Sequence, residues 1–357
     1  MCNVKGEKMK TYLPIKVKST PIRKLALVPF EKRQDSIYSG LELQYFNGQP
    51  YGTGYRVIAY RNDGFVDVYD DKSLYFMEDE QFHVTQNGLH KHVQTDIKNV
   101  NFCKVDNKQM ISFDFLDMEE RLISIKIEEN TLRKSSPMNL LAPIGMGSKQ
   151  PNYLPVFFLY EFDFIRRKNA TLLCSFGGMK IKIYKFPFPL GGQRRLYARY
   201  SNECEILEFA NTDDEKLQEV ELDQNNRFYD GNAEYIFARE NVLQEILVHF
   251  EDHHVRFEFD KGLDISQECN GIFSIRPREE MGYIQGEYKV IHGTQIEITM
   301  VPTSGWVAKP TSFITKKLFT PKSVFCSWSR KYSYHSIIDL NKKEIKSNWT
   351  NGNMKEK

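Results

Sequence analysis

Alternation of apolar and polar residues with period two is the feature that most constrains this chain, because it recurs along almost the whole length. It is clearest in YLPVFFLYEFDFIRR, Tyr153 to Arg167, where one face of a strand carries Val156, Phe158, Tyr160, Phe162 and Phe164. Aromatic residues make up 13% of the chain, and Gly, Asn and Asp separate the alternating runs. This pattern predicts an all-β fold of short antiparallel strands.

Two segments predict hairpins with defined turns. In YRVIAYRNDGFVDVY, residues 55–69, the sequence Asn62-Asp63-Gly64 tolerates the positive φ of a tight turn. In TLLCSFGGMKIKIYKF, residues 171–186, a Gly177-Gly178 turn places Lys180, Lys182 and Tyr184 opposite the apolar face. A third segment, NVLQEILVHFED, residues 241–252, fits helical and strand spacing equally well, and its flanks favour a strand.

The length of 357 residues suits two domains of about 150 residues each. Prolines and glycines cluster in FPFPLGGQRR, residues 186–195, and predict the boundary between them. We expect an N-terminal leader at 1–35, a first β domain at 36–190, a second at 191–340 and a polar tail at 341–357. Short antiparallel strands at roughly ten-residue spacing predict two barrels, or barrel-like sandwiches, in tandem.

Composition argues against several classes of function. The net charge is only +2, with both signs scattered, so we expect no nucleic acid partner. No run approaches the roughly 18 apolar residues of a membrane helix. The N-terminus lacks the apolar core of a secretory signal, so we expect no membrane span and a cytoplasmic location. The six cysteines form no C-x-x-C pair, which argues against a zinc site and a disulfide scaffold.

A partial resemblance to a known superfamily lies in SSPMNLLAPIGMGSKQPNYLPVFFLYEFDFIRRKNATLLCSFGGMKIKIYKFPF, Ser135 to Phe188. This stretch resembles the end of the first domain in the double-calycin superfamily, which includes carotenoid 1,2-hydratases. The resemblance implies two lipocalin-like barrels that enclose a site for a hydrophobic molecule. Where that family carries a Trp-x-Asp signature, this chain has YKFPFPLGGQRRLY without an acid, so hydratase chemistry is not implied at that place.

The second face of the Tyr153–Arg167 strand carries two carboxylates, Glu161 and Asp163. Their carboxyl groups approach to about 7 Å, as those of residues i and i+2 on a strand do. If this face lines a cavity, burial raises the pKa of one carboxyl and makes it a candidate catalytic acid. The other interpretation is that both carboxylates face solvent.

The solvated interpretation depends on the segment that follows. A turn at 167–171 would align the Phe158, Tyr160 and Phe162 face with the apolar hairpin face, and would leave both carboxylates near Lys180 and Lys182 on the wetter side. We favour this arrangement. The predicted ligand-binding residues on or near the strand are Phe157, Leu159, Tyr160, Phe162 and Tyr184.

Other motifs carry less chemistry. His83, His90 and His92 fall around an Asn87-Gly88 turn, and without a third ligand signature we interpret them as a surface hairpin and expect no metal site. We interpret the pairs Arg166-Arg167 and Arg194-Arg195 as solvated. GMGSKQ, residues 145–150, lacks the ending of a phosphate-binding loop, and no G-x-S-x-G motif occurs. Nothing in the sequence calls for a cofactor.

These observations leave three hypotheses for function. The first is binding of a small, largely hydrophobic lipid- or terpenoid-like molecule in an aromatic-lined barrel cavity. The second is a cofactor-independent hydratase, cyclase or isomerase acting on a terpenoid-like substrate, with Glu161 or Asp163 as proton donor. The third is a structural or interaction protein with filled barrels. The oligomeric state is left open.

Overall fold

The chain is all-β, with curled sheets that include a half-barrel. The structure, a computed structural model, describes residues 9–32, 36–75, 83–84, 87–133, 137–142, 153–210, 212–310 and 312–351. The prediction of an all-β chain is therefore confirmed. The predicted loop at 145–150 lies outside the described residues.

The strands of the first half of the chain are short to medium in length. They are β1 Lys10–Tyr12, β2 Val17–Ser19, β3 Ile22–Pro29, β4 Tyr38–Gly48, β5 Gly52–Arg61, β6 Phe65–Asp71, β7 His83–Val84, β8 Asn87–Thr95, β9 Lys98–Val105, β10 Lys108–Leu116, β11 Leu122–Glu129, β12 Met138–Ala142, β13 Tyr153–Arg166, β14 Ala170–Phe176 and β15 Met179–Lys180.

The second half adds strands and a short helical segment. The strands are β16 Arg195–Ser201, β17 Glu203–Ala210, β18 Thr212–Lys216, β19 Glu219–Glu221, β20 Arg227–Asp230, β21 Ala233–Arg239, β22 Val242–His249, β23 His254–Asp264, β24 Cys269–Arg276, β25 Tyr283–His292, β26 Ile296–Val307, β27 Tyr332–Asp339 and β28 Glu344–Asn351. The helices are α1 Phe313–Leu318 and α2 Val324–Ser327, with 3-10 turns at Glu279–Met281 and Trp328–Lys331.

Three local predictions are confirmed by these elements. The Asn62-Asp63-Gly64 turn joins antiparallel β5 and β6, and Gly177-Gly178 joins β14 and β15 with both glycines at positive φ. The ambiguous segment 241–252 is a strand, β22. Its neighbours β21 and β23 pair with it on both sides, so cross-strand partners decide between two patterns that fit the sequence equally.

The chain divides into two compact units that interleave along the sequence. The meander unit comprises the described residues of Met1–Thr20, Leu141–Phe158 and Ile206–Lys357. The two-sheet unit comprises those of Pro21–Leu140 and Leu159–Glu205. The residues at the predicted boundary, Pro187–Gly192, fall within the two-sheet unit. The predicted limits 36–190 and 191–340 stay a prediction.

The meander unit is built on a ten-stranded antiparallel sheet. From β20 to β28 each strand pairs with the next one in sequence, and β18 pairs with the free side of β28. Alternate residues fill one face with rings: Phe257 contacts both Phe209 and Phe273 at 5.6 Å between ring centroids. The period-two pattern of the sequence therefore places these rings in the interior of the unit.

A short helical segment interrupts the meander between β26 and β27. Ser312 caps α1 through a capping box with Thr315, and Ser323 caps α2 by accepting from the backbone N–H of Cys326. The 3-10 turn Trp328–Lys331 follows directly and buries the Trp328 ring, which is 1% exposed. The capping side chains thus fix where this ring enters the interior.

The two-sheet unit buries one core between two sheets. One sheet has the order β15-β14-β11-β10-β9, and the other contains β16-β3-β4-β5-β6-β8-β7 as neighbours. The core between them includes Leu41, Val57, Ile111, Phe113 and Ile125, all fully buried. Strands β6 and β8 pair in parallel, unlike the other described strand pairs. Residues 67–71 of β6 therefore lie beside residues 91–95 of β8 in the same order.

Two turn predictions are wrong. Arg167–Asn169 links β13 to β14, but these strands belong to different sheets, so this turn does not align the two faces as a hairpin would. Val84 of β7 pairs with Asn87 of β8, and His83 pairs with Gly88, so Asn87-Gly88 lies in a strand and not in a turn. Long-range pairing decides both cases, which local turn residues do not encode.

Limited proteolysis tests the domain limits. Pro187, Phe188 and Pro189 are exposed, so a protease of broad specificity should cut there first. Because β16 pairs with β3 and with the end of β13, we expect the two fragments to elute together from a sizing column under native conditions. Two fragments that separate and each stay folded would instead support a boundary near residue 190.

Candidate functional site

Glu161 interrupts the alternation of its strand. Its φ is +50°, in the left-handed region that non-glycine residues seldom adopt, and the side chain is 53% exposed with Oε2 at 3.2 Å from Lys104 Nζ. The expectation that Glu161 faces solvent is confirmed. Its backbone N–H donates to Asn139 Oδ1 at 3.3 Å, which fixes this turn of the backbone.

Asp163 lies in a different environment from Glu161. It is only 3% exposed, and its Oδ1 accepts from the backbone N–H of Phe164 at 2.8 Å. Its Oδ2 lies 3.5 Å from Nη1 of buried Arg195. The expectation that Asp163 shares the wet face with Glu161 is therefore wrong, because the left-handed residue at 161 shifts the alternation by one position.

The predicted ligand-binding residues do not share one environment. Leu159, Tyr160 and Phe162 are buried, Phe157 is half-buried and Tyr184 is 44% exposed. The Tyr160 hydroxyl donates to buried Glu205 Oε2 at 2.9 Å, so it is engaged within the protein. These residues therefore do not line a single described cavity.

Two of the four predicted solvated arginines are buried. Arg166 is 1% exposed and its Nε donates to Glu129 Oε2 at 3.0 Å, while Arg195 is 4% exposed beside Asp163. The prediction is wrong for these two, since each guanidinium replaces water by carboxylate and carbonyl oxygens. Their neighbours in sequence, Arg167 and Arg194, are exposed as predicted.

The parallel β6–β8 pair builds a polar cluster around fully buried Asp67. Its Oδ2 accepts from the Tyr38 hydroxyl at 3.2 Å and from Arg61 Nη1 at 3.1 Å, and its Oδ1 lies 2.6 Å from His90 Nδ1. Burial, together with the adjacent Tyr69, raises the pKa of Tyr38 well above its ordinary range, so the hydroxyl stays a donor. The carboxylate is saturated by these partners, which is the behaviour of a structural network.

A second buried carboxylate follows three residues later. Asp70 accepts from Arg56 Nε at 2.5 Å and Nη2 at 2.8 Å, and its Oδ2 lies 2.8 Å from His92 Nε2. Burial alone would raise the pKa of Asp70, but the hydrogen bonds from Arg56 and His92 hold the pKa below its ordinary value. The side chains of Phe46 and Tyr51 cover the guanidinium at about 5 Å from each ring centroid.

The sequence contains a signal for this cluster that the alternation of residues alone does not reveal. In FVDVYDD, residues 65–71, acids interrupt a strand that is otherwise apolar and buried. A buried acid in such a strand requires a cationic or hydrogen-bonding partner, and His90 and His92 are on the neighbouring strand. The interpretation of these histidines as a surface hairpin is wrong for His92, whose side chain is 2% exposed.

Glu42 has the raised pKa that the enzyme hypothesis expects of Glu161 or Asp163. Burial raises the pKa of Glu42, although hydrogen bonds from Tyr60 and Gln44 oppose the shift. The Tyr60 hydroxyl donates to Glu42 Oε2 at 2.6 Å, and Gln44 Nε2 donates to Oε1 at 2.7 Å. Both oxygens therefore already have donors within the two-sheet unit, and no described contact exposes this acid to a substrate.

The interior of the meander unit contains a cavity of about 20 Å³. Rings and aliphatic side chains from seven strands and from the helical segment surround it. The lining residues are Val156, Phe209, Phe257, Phe273, Ile275, Ile284, Met300, Pro302, Trp328, Ser329 and Trp349. A volume of about 10–15 Å³ is enough for one water molecule, whereas ligand sites are usually about 300–1,000 Å³.

Three of the residues that line this cavity carry buried donors without a partner among the described atoms. They are Trp328 Nε1, Ser329 Oγ and Trp349 Nε1, on side chains no more than 3% exposed. The third tryptophan provides a contrast, because Trp306 Nε1 donates to the carbonyl of Met281 at 2.8 Å. An unpaired buried donor costs about 1–3 kcal/mol, so these residues hold unused hydrogen-bonding capacity next to a cavity whose wall exposes only apolar atoms.

Neither metal nor membrane features are found in the described parts of the chain. No group of three or more His, Cys, Asp or Glu side chains within those ranges is placed to hold a metal ion. None of the described helices has the length and apolarity that crossing a bilayer requires. Comparisons of the chain with protein-family models, with curated proteins and with solved structures find no match.

Substitution of Asp70 by Asn should show how much the buried cluster stabilises the fold. We expect a loss of about 3–5 kcal/mol near pH 7, because the buried guanidinium of Arg56 would lose a carboxylate that it contacts through two nitrogens. The folded-state pKa of Asp70 lies below its unfolded value, so its contribution is complete above about pH 4 and is lost as the pH falls through the folded pKa. Urea unfolding across pH should therefore show the two proteins converging in acid.

Asp63→Asn is the matched control for this experiment. Asp63 also has a lowered pKa, from its hydrogen bond to Arg61, but its side chain is 47% exposed. An exposed pair contributes about 0–1 kcal/mol. A loss in Asp70→Asn no larger than in Asp63→Asn, or one that does not depend on pH, would contradict the role assigned to Asp70.

Substitutions at the neighbouring residues 161 and 162 should change the free energy of unfolding by very different amounts. Phe162 is 7% exposed and packs against Phe164 at 5.4 Å, so Phe162→Ala should cost about 3–5 kcal/mol of unfolding free energy. Glu161→Gln should change it by about 0.5 kcal/mol or less, since only an exposed contact with Lys104 is altered. A small loss for Phe162→Ala in chemical denaturation would mean that this ring lines space that is already empty.

Proposed function

We propose that the protein binds a small, largely apolar molecule that carries a hydrogen-bond acceptor, and that it does so inside the meander unit. The observation that carries the proposal is the pairing of an aromatic-lined cavity with unpartnered donors on Trp328, Ser329 and Trp349. A lipid- or terpenoid-like molecule with a carboxylate, carbonyl or hydroxyl group has this chemistry. The lipocalin-like form of the domains, implied by the double-calycin resemblance, is part of the proposal.

The size of the cavity sets a condition on this proposal. At about 20 Å³ it accepts no molecule of the proposed class without enlargement. The helical segment 313–331 supplies Trp328 and Ser329, and it contacts the sheet through its buried rings and through Arg330 Nη2, which donates to the Ser304 carbonyl at 2.9 Å. Displacement of this segment would enlarge the cavity while the strands keep their hydrogen bonds. Binding by this route costs the contacts of Trp328, and the ligand has to replace them.

The acceptor requirement follows from the donors. Two indole N–H groups and one hydroxyl lie on residues that surround the cavity, whose wall exposes only apolar atoms until it is enlarged. A pure hydrocarbon in the enlarged cavity would leave these donors unpaired. A ligand acceptor that reaches one donor recovers part of its desolvation cost. The enzyme hypothesis has less support, because Glu161 is exposed and Asp163 is held by Arg195 and the Phe164 backbone.

Trp349→Phe should weaken binding without emptying the cavity. The substitution keeps an aromatic ring and removes one donor, so the dissociation constant for a fluorescent fatty acid such as parinaric acid should rise about fivefold. Energy transfer from the tryptophans reports binding, since Trp306, Trp328 and Trp349 are all in this unit. Trp306→Phe removes a donor that is already paired and does not line the cavity, so it should leave the affinity unchanged.

Two outcomes would refute the proposal. Absence of both a co-purifying apolar ligand and uptake of parinaric acid in native mass spectrometry of the purified protein would favour the structural protein with a filled interior. Equal affinities of the wild type and Trp349→Phe would show that the ligand binds elsewhere. Fatty alcohol and alkane probes of the same length extend the test, because only the alcohol offers an acceptor.

A further inference from the structure

A basic and aromatic surface lies on the two-sheet unit, and the ligand binding proposed for the meander unit does not use it. Between Asp163 and Glu203 the sequence has no acidic residue, although it has nine lysines and arginines. Arg166, Arg195 and Arg199 are buried or half-buried. The six exposed cations are Arg167, Lys168, Lys180, Lys182, Lys185 and Arg194. The net charge of +2 does not reveal this basic segment, because acidic residues elsewhere in the chain offset its positive charge.

Rings lie among these cations on the same side of the chain. Ile181 and Ile183 point into the core, at 4% and 5% exposure, so Lys180, Lys182 and Tyr184 alternate outward. The exposed aromatics that follow are Tyr184 at 44% and Phe188 at 58%. We call the outward residues Lys180, Lys182, Tyr184, Phe186 and Phe188, with Phe164 and Tyr197 beside them, the basic aromatic face.

The rings of this face are held in a connected group. Phe186 lies 4.7 Å from Tyr197, 4.9 Å from Phe188 and 5.2 Å from Phe164 between ring centroids. The backbone N–H of Tyr197 donates to the Tyr184 carbonyl at 2.8 Å, which keeps these two residues side by side. The platform is therefore preorganised, and a ligand that stacks on it does not have to order the side chains.

Cations stand at both ends of this platform. Lys180 and Lys182 precede Tyr184 along the strand direction, and at about 3.3 Å per residue they extend the face by roughly 13 Å. At the other end the backbone N–H of Arg167 donates to the Arg194 carbonyl at 2.9 Å, which brings two exposed arginines together. Among the described residues, Glu31 forms an ion pair with Lys185, with Oε1 at 3.8 Å from Nζ.

We propose that the basic aromatic face binds single-stranded nucleic acid. Proteins that bind single strands without sequence preference combine cations that follow the phosphates with rings on which bases stack. The face has both, in the order cations, rings, cations. A membrane surface fits less well, because Phe164, Phe186 and Tyr197 are half-buried against one another and do not extend beyond the cations.

The test measures fluorescence anisotropy of short labelled oligo-dT and oligo-U strands with the full-length protein. Tyr184→Ala and Phe188→Ala should each raise the dissociation constant about tenfold, through loss of one stacked base. Lys182→Gln should flatten the plot of log affinity against log salt by about 0.7, the slope for one phosphate of a single strand. These side chains are exposed, and circular dichroism of each variant confirms that the fold is kept.

Matched controls come from the same unit. Tyr75→Ala removes a ring that is 64% exposed, and Lys98→Gln removes an exposed cation, both outside the face. Neither should change the affinity or the salt dependence. If Tyr184→Ala weakens binding no more than Tyr75→Ala does, the surface is wrongly assigned and the proposal fails.

Phe188→Leu separates nucleic acid from lipid. Leucine keeps an apolar side chain but has no ring face, so binding to oligonucleotides should fall about as far as in Phe188→Ala. Sedimentation with phosphatidylcholine vesicles that contain phosphatidylserine gives the opposite test. Vesicle binding that Phe188→Leu preserves, without oligonucleotide binding at low salt, would overturn the proposal in favour of a membrane surface.

Discussion

Burial of carboxylates beside arginines is the interaction on which the two-sheet unit depends. Asp70 with Arg56, Glu129 with Arg166 and Asp163 with Arg195 are all almost inaccessible to water. Such pairs do not necessarily stabilise a fold more than apolar residues would, but removal of one partner is costly. They therefore fix which strands meet: Arg166 on β13 also donates its backbone N–H to Glu129 on β11, so one pair joins strands of different sheets.

This constraint explains why alternation predicted strands well and faces less well. Residues such as Ile111, Phe113 and Ile125 follow period two and lie in the core, as the sequence suggests. Alternation fails at Glu161, where a left-handed residue moves Asp163 from the wet face to the interior. The reason lies far away in sequence, because Arg195 is the partner that makes burial of Asp163 possible. No pattern within one strand contains that information.

The candidate sites show the same division between local and long-range information. Phe257 and Phe273 lie on strands of the all-β fold that the alternation predicts, and the buried Trp328 lines the same cavity. Their meeting around one cavity depends on the meander and on two serine caps that position the helical segment. The Asp67 and His90 contact depends on a parallel pairing, for which hairpin reasoning has no signal. The net charge likewise carries no local information, because a sum over the chain does not show that one segment of 39 residues contains no acid.

The two units differ in which buried polar groups lack a hydrogen-bond partner among the described atoms. In the two-sheet unit the buried carboxylates Asp67, Asp70 and Glu129 each accept from several donors, whereas Arg195 Nε has no described partner. In the meander unit the interior keeps donors on Trp328 and Trp349 that no described atom accepts. Each of these indole N–H groups therefore carries a desolvation cost of about 1–3 kcal/mol that a phenylalanine ring would not have.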